Sequence, residues 1–201
     1  MDKEYIKIRE SYDNNVENYA KNGGILLLDN LNSFISLVKH GGRILDIGSG
    51  VGQDVEFFYK KGYKVLGVDF SSKMINYSKR KRRGGVFKKV NLFDLNKEYS
   101  KNSFDGIWIS SVITHLKPMD ISKALKIVRN LLKIKGVLGI IVKRRKTKEI
   151  RKGRGGIIFN EFYKKDIKEY LRVNKIKIIS ISDFRAHDKD WIFILATKNS
   201  E

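Results

Sequence analysis

The chain contains no cysteine, a single proline (Pro118) and only three histidines (His40, His115 and His187) among its 201 residues. Without cysteine there can be no disulfide, thiolate metal site or cysteine nucleophile, and the histidines lack the spacing of zinc ligands, so no metal is expected. One proline, no serine-rich stretch and no internal repeat leave nothing that divides the chain into separate units. There is no apolar run long enough to span a bilayer, and the N-terminus is charged and polar where a signal peptide would be apolar, so a cytoplasmic protein without a membrane partner is expected. Acidic residues are the scarcer charge: 22 Asp and Glu against 42 Lys and Arg give a net charge of +20. Such a field attracts polyanions, RNA among them. A genome that favours Lys, Ile and Asn codons produces the same surface without any such partner. Hydrophobic residues make up 41% of the chain, enough for one core of ordinary domain size.

Apolar runs that read as buried strands alternate with segments of helical period, which is the pattern of a mostly parallel sheet covered on both faces. The runs predict strands near 43–47, 64–68, 86–91, 104–110, 136–142, 175–182 and 191–197. Helices are predicted near 3–20, 25–39, 52–61, 71–82, 120–133 and 161–172, with Ser71 and Asp120 as caps. The last two strands flank a loop over 183–190 with no helical pattern, so they form an antiparallel edge pair. The expected fold class is α/β, a doubly wound seven-stranded sheet in a single domain over 1–201. Within it, 1–40 is a helical cap, 41–142 the ligand-binding core, 143–160 a basic loop on the acceptor side, and 161–201 a helix and strand pair.

The core opens with Ile44-Leu45-Asp46-Ile47-Gly48-Ser49-Gly50-Val51-Gly52. A strand that ends at an acid and turns through three glycines lets backbone lie against a nucleotide at the carboxyl end of the sheet. The next two apolar runs end at Asp69 and Asp94. Asp69 suits a pair of ribose hydroxyls, and Asp94 with Leu95 suits an adenine amine and ring. A dinucleotide fingerprint wants a small residue at position 53, where Gln53 stands, and no acid at Asp46, so a nicotinamide oxidoreductase is disfavoured.

With Phe104-Asp105-Gly106-Ile107-Trp108 and the segment from Leu131 to Leu138, this pattern resembles the class I S-adenosylmethionine-dependent methyltransferases, Rossmann-like and similar to types 11 and 25. The resemblance covers nearly the whole chain. It implies S-adenosylmethionine as cofactor and S-adenosylhomocysteine as product. Gly48, Ser49, Gly50 and Gly52 would lie along the cofactor, Asp46 would orient its amino end, Asp69 and Phe70 would hold the ribose side, Asp94 and Leu95 the adenine, and Ser110 would line the pocket. The segment from Tyr12 to Ala20 is similar to the family's opening helix, so Tyr12 and Tyr19, on one helical face, would close over the cofactor; their alternative role is core packing.

Methyl transfer needs alignment and exclusion of water more than a nucleophilic side chain, but an oxygen or protonated nitrogen acceptor needs a base near the end of the fourth strand. His115 is the candidate, with a structural hydrogen bond as its other reading, and Ser111 lies beside it. On the acceptor side Arg144, Arg145, Arg151 and Arg154 belong to a basic stretch after the fifth strand. They would hold RNA phosphates, with steep salt dependence, or the anionic group of a small molecule. The second block, Lys79 to Arg83, ends a helix, where cations offset exposed carbonyls. A protein that keeps this fold but only binds nucleic acid is the competing function.

Overall fold

The computed structural model describes residues 2–22, 27–145, 157 and 159–198. Seven strands form one sheet: β1 (Arg43–Ile47), β2 (Lys64–Asp69), β3 (Val86–Lys89), β4 (Phe104–Ser110), β5 (Leu132–Lys143), β6 (Ile176–Ala186) and β7 (Lys189–Lys198). Their order is β3-β2-β1-β4-β5-β7-β6. The first five are parallel, and β7 runs antiparallel to both β5 and β6. The helices are α1 (Lys3–Asp13), α2 (Val16–Asn22), α3 (Leu28–Ile35), α4 (Gln53–Lys60), α5 (Ser72–Lys81), α6 (Leu95–Glu98), α7 (Pro118–Leu131) and α8 (Lys164–Val173). The expected mostly parallel sheet with an antiparallel closing pair is thus observed.

Continuous apolar strands bury both faces because their side chains alternate. Leu45 and Ile47 of β1, Ile107 and Ile109 of β4, and Leu138 and Ile140 of β5 join the core under α7 and α8. Ile44, Trp108 and Ile141 from the same strands join the opposite core with Phe34 of α3 and Phe58 of α4. Trp108 is fully buried between Phe34, Phe58 and Phe193, with ring centroids 5.1 to 6.0 Å apart. Glycine makes room for it: a Cβ on Gly139 of β5 would lie 2.4 Å from the indole.

Three predicted elements differ from the observed ones. The helix expected over 3–20 is two, because Asn14 and Asn15 interrupt it and the Asn15 amide donates to the Ser11 carbonyl at 2.8 Å. Asparagine competes for backbone partners in this way. The helix expected from 120 begins at Pro118, whose missing N–H costs nothing at a first helical position, and Asp120 accepts from the Tyr5 hydroxyl instead of capping. Ser71 does cap α5, accepting from Met74 N at 3.0 Å.

The loop expected over 183–190 is strand except for His187 and Asp188, whose φ values of 49° and 55° make a tight two-residue hairpin turn. It escaped the pattern because β6 is an edge strand with polar Ser180, Ser182, Asp183 and Arg185 interrupting any apolar run. No helix among the described residues is long and apolar enough to cross a membrane.

Candidate functional site

The carboxyl ends of β1, β2 and β4 converge beside the turn after β1, the position where open α/β sheets place ligands. Gly48 and Ser49 donate their N–H groups to the Val68 carbonyl at 2.8 and 3.0 Å, tying the turn to β2. Gly48, Gly50 and Gly52 have φ of 72°, 52° and 78°, all left-handed. Their surroundings differ. A Cβ on Gly48 would lie 2.2 Å from Val112 Cγ2, and one on Gly52 would lie 2.7 Å from the Phe87 ring. On Gly50 it would meet only Tyr19 Cε1 at 3.5 Å and the Gly48 carbonyl at 4.0 Å. Gly50 therefore presents bare backbone to open space, whereas Gly48 and Gly52 are also demanded by packing.

Gly48→Ala should lose about 1–2 kcal/mol to the left-handed backbone and a further amount, about 1–3 kcal/mol, to overlap with Val112. Val112→Ala in the same chain should recover only the overlap. Denaturant unfolding of both single variants and the double variant measures this coupling; strictly additive losses would show that Val112 is not the obstacle.

Asp69 ends β2 and is 8% exposed. Its two carboxylate oxygens accept from Gly50 N at 3.0 Å and Ser71 N at 2.8 Å, which aims it across the turn. Burial pushes its carboxyl up to about 6, opposed by those backbone hydrogen bonds and reinforced by nearby Asp13. It borders a crevice of about 870 Å³, counting its open mouth. Val68, Phe70, Val90 and Leu92 supply apolar walls, with Asn91 and Phe93 beside them, and Ser110, Ser111 and His115 line the β4 side.

Tyr12 and Tyr19 roof the crevice from two different helices rather than one face of a single helix, and their rings still meet edge to face at 5.7 Å. Burial raises both phenols, Tyr19 to about 12 and Tyr12 further, so both remain protonated at neutral pH. The Tyr12 hydroxyl and His115 Nε2 share a hydrogen bond of 2.8 Å. His115 lies in a short 3-10 turn, Ile113–His115, and its ring also abuts Phe159 at 5.1 Å. Ser111, just before that turn, has φ of 61°, so the backbone bends sharply at the crevice wall.

A second hollow adjoins the first through Tyr19, Gly48, Ser110 and Ser111. Its walls include Asp46, Asp54 and Ser49. Burial raises Asp46 well above the ordinary carboxylate range, with Asp54 and Asp69 adding to the effect. Burial raises Asp54 to about 6 despite a hydrogen bond from Trp108 Nε1 at 2.8 Å. The Ser49 hydroxyl is buried with no hydrogen-bond partner. Among the described residues, no lysine or arginine lines either hollow, although the chain carries a net charge of +20. No group of three or more His, Asp or Glu able to hold a metal ion occurs among the described residues.

Several residues singled out from sequence lie apart from this site. Asp94 does not line the crevice: it is half exposed and paired with Lys97 at 2.7 Å, because β3 ends at Lys89 and Asn91 starts a 3-10 turn that swings position 94 outward. Leu95 is fully buried in the core, and Gly52 lies under Phe87. Arg144 pairs with Asp183 at 3.1 Å and Arg145 stacks over Tyr163 at 5.6 Å. Arg151 and Arg154 lie outside the described residues. Sequence reading missed Asn91, Val112 and Asp54. An asparagine immediately before a short helical turn was the only signal for the first, and nothing in the sequence marked Asp54 as facing Asp46.

Residues 45–140 match the family model described as a methyltransferase domain. No curated protein matches the sequence. Among solved structures, the chain is similar to the Burkholderia thailandensis 1,6-didemethyltoxoflavin-N1-methyltransferase with bound 1,6-didemethyltoxoflavin and S-adenosylhomocysteine. The TM-score is 0.82 at 16% identity, over 96% of this chain and 88% of that one. A SAM-dependent methyltransferase from Methanosarcina mazei aligns with TM-score 0.72 and 22% identity over 83% and 97% of the two chains. The [4+2]-cyclase SpnF aligns with TM-score 0.69 and 18% identity over 85% and 80%.

Proposed function

We propose that this chain is a class I S-adenosylmethionine-dependent methyltransferase, a reading supported by its methyltransferase-domain match at residues 45–140 and by its fold, and that it methylates an oxygen or nitrogen of a small molecule. The observation that carries the reading is the set of buried carboxylates, Asp69 in the crevice and Asp46 and Asp54 in the adjoining hollow, with no lysine or arginine among the described residues that line them. Such a lining favours a cationic donor and disfavours a phosphate chain at the reaction centre.

The residues present fit S-adenosylmethionine. Asp69 accepts the ribose hydroxyls, Gly50 lends bare backbone beneath Tyr19, and Asp46 and Asp54 face the amino end. Val68, Phe70, Val90 and Leu92 hold the adenine, with Asn91 supplying the polar contact that sequence reading assigned to Asp94. The bound donor supplies an electrophilic methyl on a ready leaving group, so the protein's task is alignment and exclusion of water. Tyr12, Tyr19 and Phe159 form the aromatic enclosure for that task.

His115 takes a proton from the acceptor once the acceptor replaces the Tyr12 hydroxyl at Nε2. His115→Ala should lower turnover by about a hundredfold while S-adenosylhomocysteine affinity stays within about twofold. Undiminished turnover would return His115 to a structural role.

A small-molecule acceptor agrees with the toxoflavin-type substrate of the Burkholderia neighbour. RNA is the weaker reading, since Arg144 and Arg145 are already engaged with Asp183 and Tyr163. Because a [4+2]-cyclase shares the fold, donor binding and methyl transfer need separate measurement. Calorimetry with S-adenosylhomocysteine should give micromolar binding, and a radiolabelled methyl screen over a metabolite extract and total RNA should label the small-molecule fraction. Label in RNA would overturn the acceptor class; absence of both binding and label would favour a protein that only binds nucleic acid.

A further inference from the structure

A group of exposed cations lies away from the crevice, around the opening ends of the strands. There the opening residues of β1 to β4, with Tyr59 of α4 and Tyr99, enclose a hollow of about 1060 Å³ counting its open mouth. Arg43, Lys64 and Lys88 line it together with Tyr59, Tyr99 and Phe104, and no carboxylate does. We infer that this hollow docks single-stranded RNA, with a base against the exposed Tyr59 ring and successive phosphates on its three cations.

Four observations support the assignment. Arg43 and Lys64 are register partners at the starts of β1 and β2, both exposed. Lys88 lies on the next strand but further along, its register partner being Val68, so the three cations offer separate partners to successive phosphates instead of one clamp. Cations and rings are already interleaved: the Arg43 guanidinium lies 5.1 Å from the Phe104 centroid and Lys88 Nζ lies 5.8 Å from that of Tyr99. Tyr59 is 51% exposed, and its ring lies against Gly84, where any Cβ would come within 2.0 Å, so the glycine seats a π-face at the rim. Finally, Val86 at the start of β3 is 55% exposed and lines the same hollow, an apolar edge for a base.

The adjacent acid does not cancel this charge, because Asp105 is held by Lys133 at 2.8 Å and by the Arg43 backbone N–H at 2.9 Å. The rim also continues into the basic end of α5, since Gly84 and Gly85 line the hollow directly after Lys79 to Arg83. Helix-end cations alone would explain that block, but not the exposed Arg43, Lys64 and Lys88 on three strands. Aromatic rings interleaved with cations are the means by which proteins hold single strands without sequence preference.

Fluorescence anisotropy with a labelled oligo-uridine of about 12 nucleotides, within the usual span of such sites, tests the inference. Replacing Arg43, Lys64 and Lys88 together by Gln should weaken binding at least tenfold. It should also flatten the slope of log affinity against log salt by about 2, from three contacts at about 0.7 each. Tyr59→Ala should weaken binding by about fivefold or more, the loss of one stacked base. A control that removes the same charge from exposed Lys126, Lys168 and Lys177 should leave affinity within about twofold. S-adenosylhomocysteine affinity, read on every variant, reports that the fold is intact and tests the methyltransferase reading separately. Equal losses in the control and the hollow variants, an unaffected Tyr59→Ala, or uridine monophosphate binding as tightly as the oligomer would overturn the assignment.

Discussion

Asp69→Ala is expected to weaken S-adenosylhomocysteine binding by about ten- to a hundredfold, because hydrogen bonds to an ionised carboxylate contribute about 1.5–3 kcal/mol and each tenfold corresponds to about 1.4 kcal/mol. The variant also removes the acceptor for Gly50 N and Ser71 N, so part of the loss comes from a loosened turn. Asp69→Asn, which keeps one carbonyl acceptor, should fall between the two. The carboxyl is raised to about 6 by burial, so protonation competes with the ligand: affinity should hold steady above that value and fall toward tenfold per pH unit below it. The Asn variant should lack that bend. Calorimetry at several pH values gives both results, and an affinity unchanged by Asp69→Ala would end the ribose assignment.

Trp108→Ala should cost about 3–5 kcal/mol of folding stability, the usual range for deleting a large buried aromatic. At roughly 2–4 °C per kcal/mol for a chain of this size, the melting temperature should drop by about 6 °C or more. The residue is fully buried among Phe34, Phe58 and Phe193, and Gly139 leaves no side chain that could fill the void. Trp108→Phe separates packing from the hydrogen bond to Asp54. It should cost less overall, but change the pH dependence. Asp54 is raised from 3.8 to about 6, so the folded chain binds its proton more tightly than the unfolded chain does. The resulting stabilisation is complete below the unfolded value and lost as pH rises through about 6. Removing the indole N–H raises Asp54 further, so Trp108→Phe should lose more stability than the parent between pH 5 and 7. Thermal melts across that interval check this, and parallel curves would mean that the N–H does not support the carboxylate.

The sheet was legible because it is buried on both faces. Runs such as Arg43–Ile47 and Phe104–Ser110 carry their strand signal in consecutive apolar residues, and both appear with the expected limits. The signal faded where burial faded, in edge strand β6 and in the cap, where two asparagines broke a helix that periodicity alone would continue. At the site, the glycine turn and Asp69 could be read because a left-handed backbone and a strand-end acid are local properties.

The amino-acid order by itself determined the fold class, the position of the turn and the excess of positive charge, since each depends on residue type or short-range spacing. Only the tertiary structure decided which glycine faces open space, that Asn91 and not Asp94 reaches the crevice, that Asp54 joins Asp46, and that Arg43, Lys64 and Lys88 share one hollow. The physical reason is that these are distances between segments far apart in the chain, set by how strands and helices pack, and no local pattern encodes which side chains that packing brings face to face.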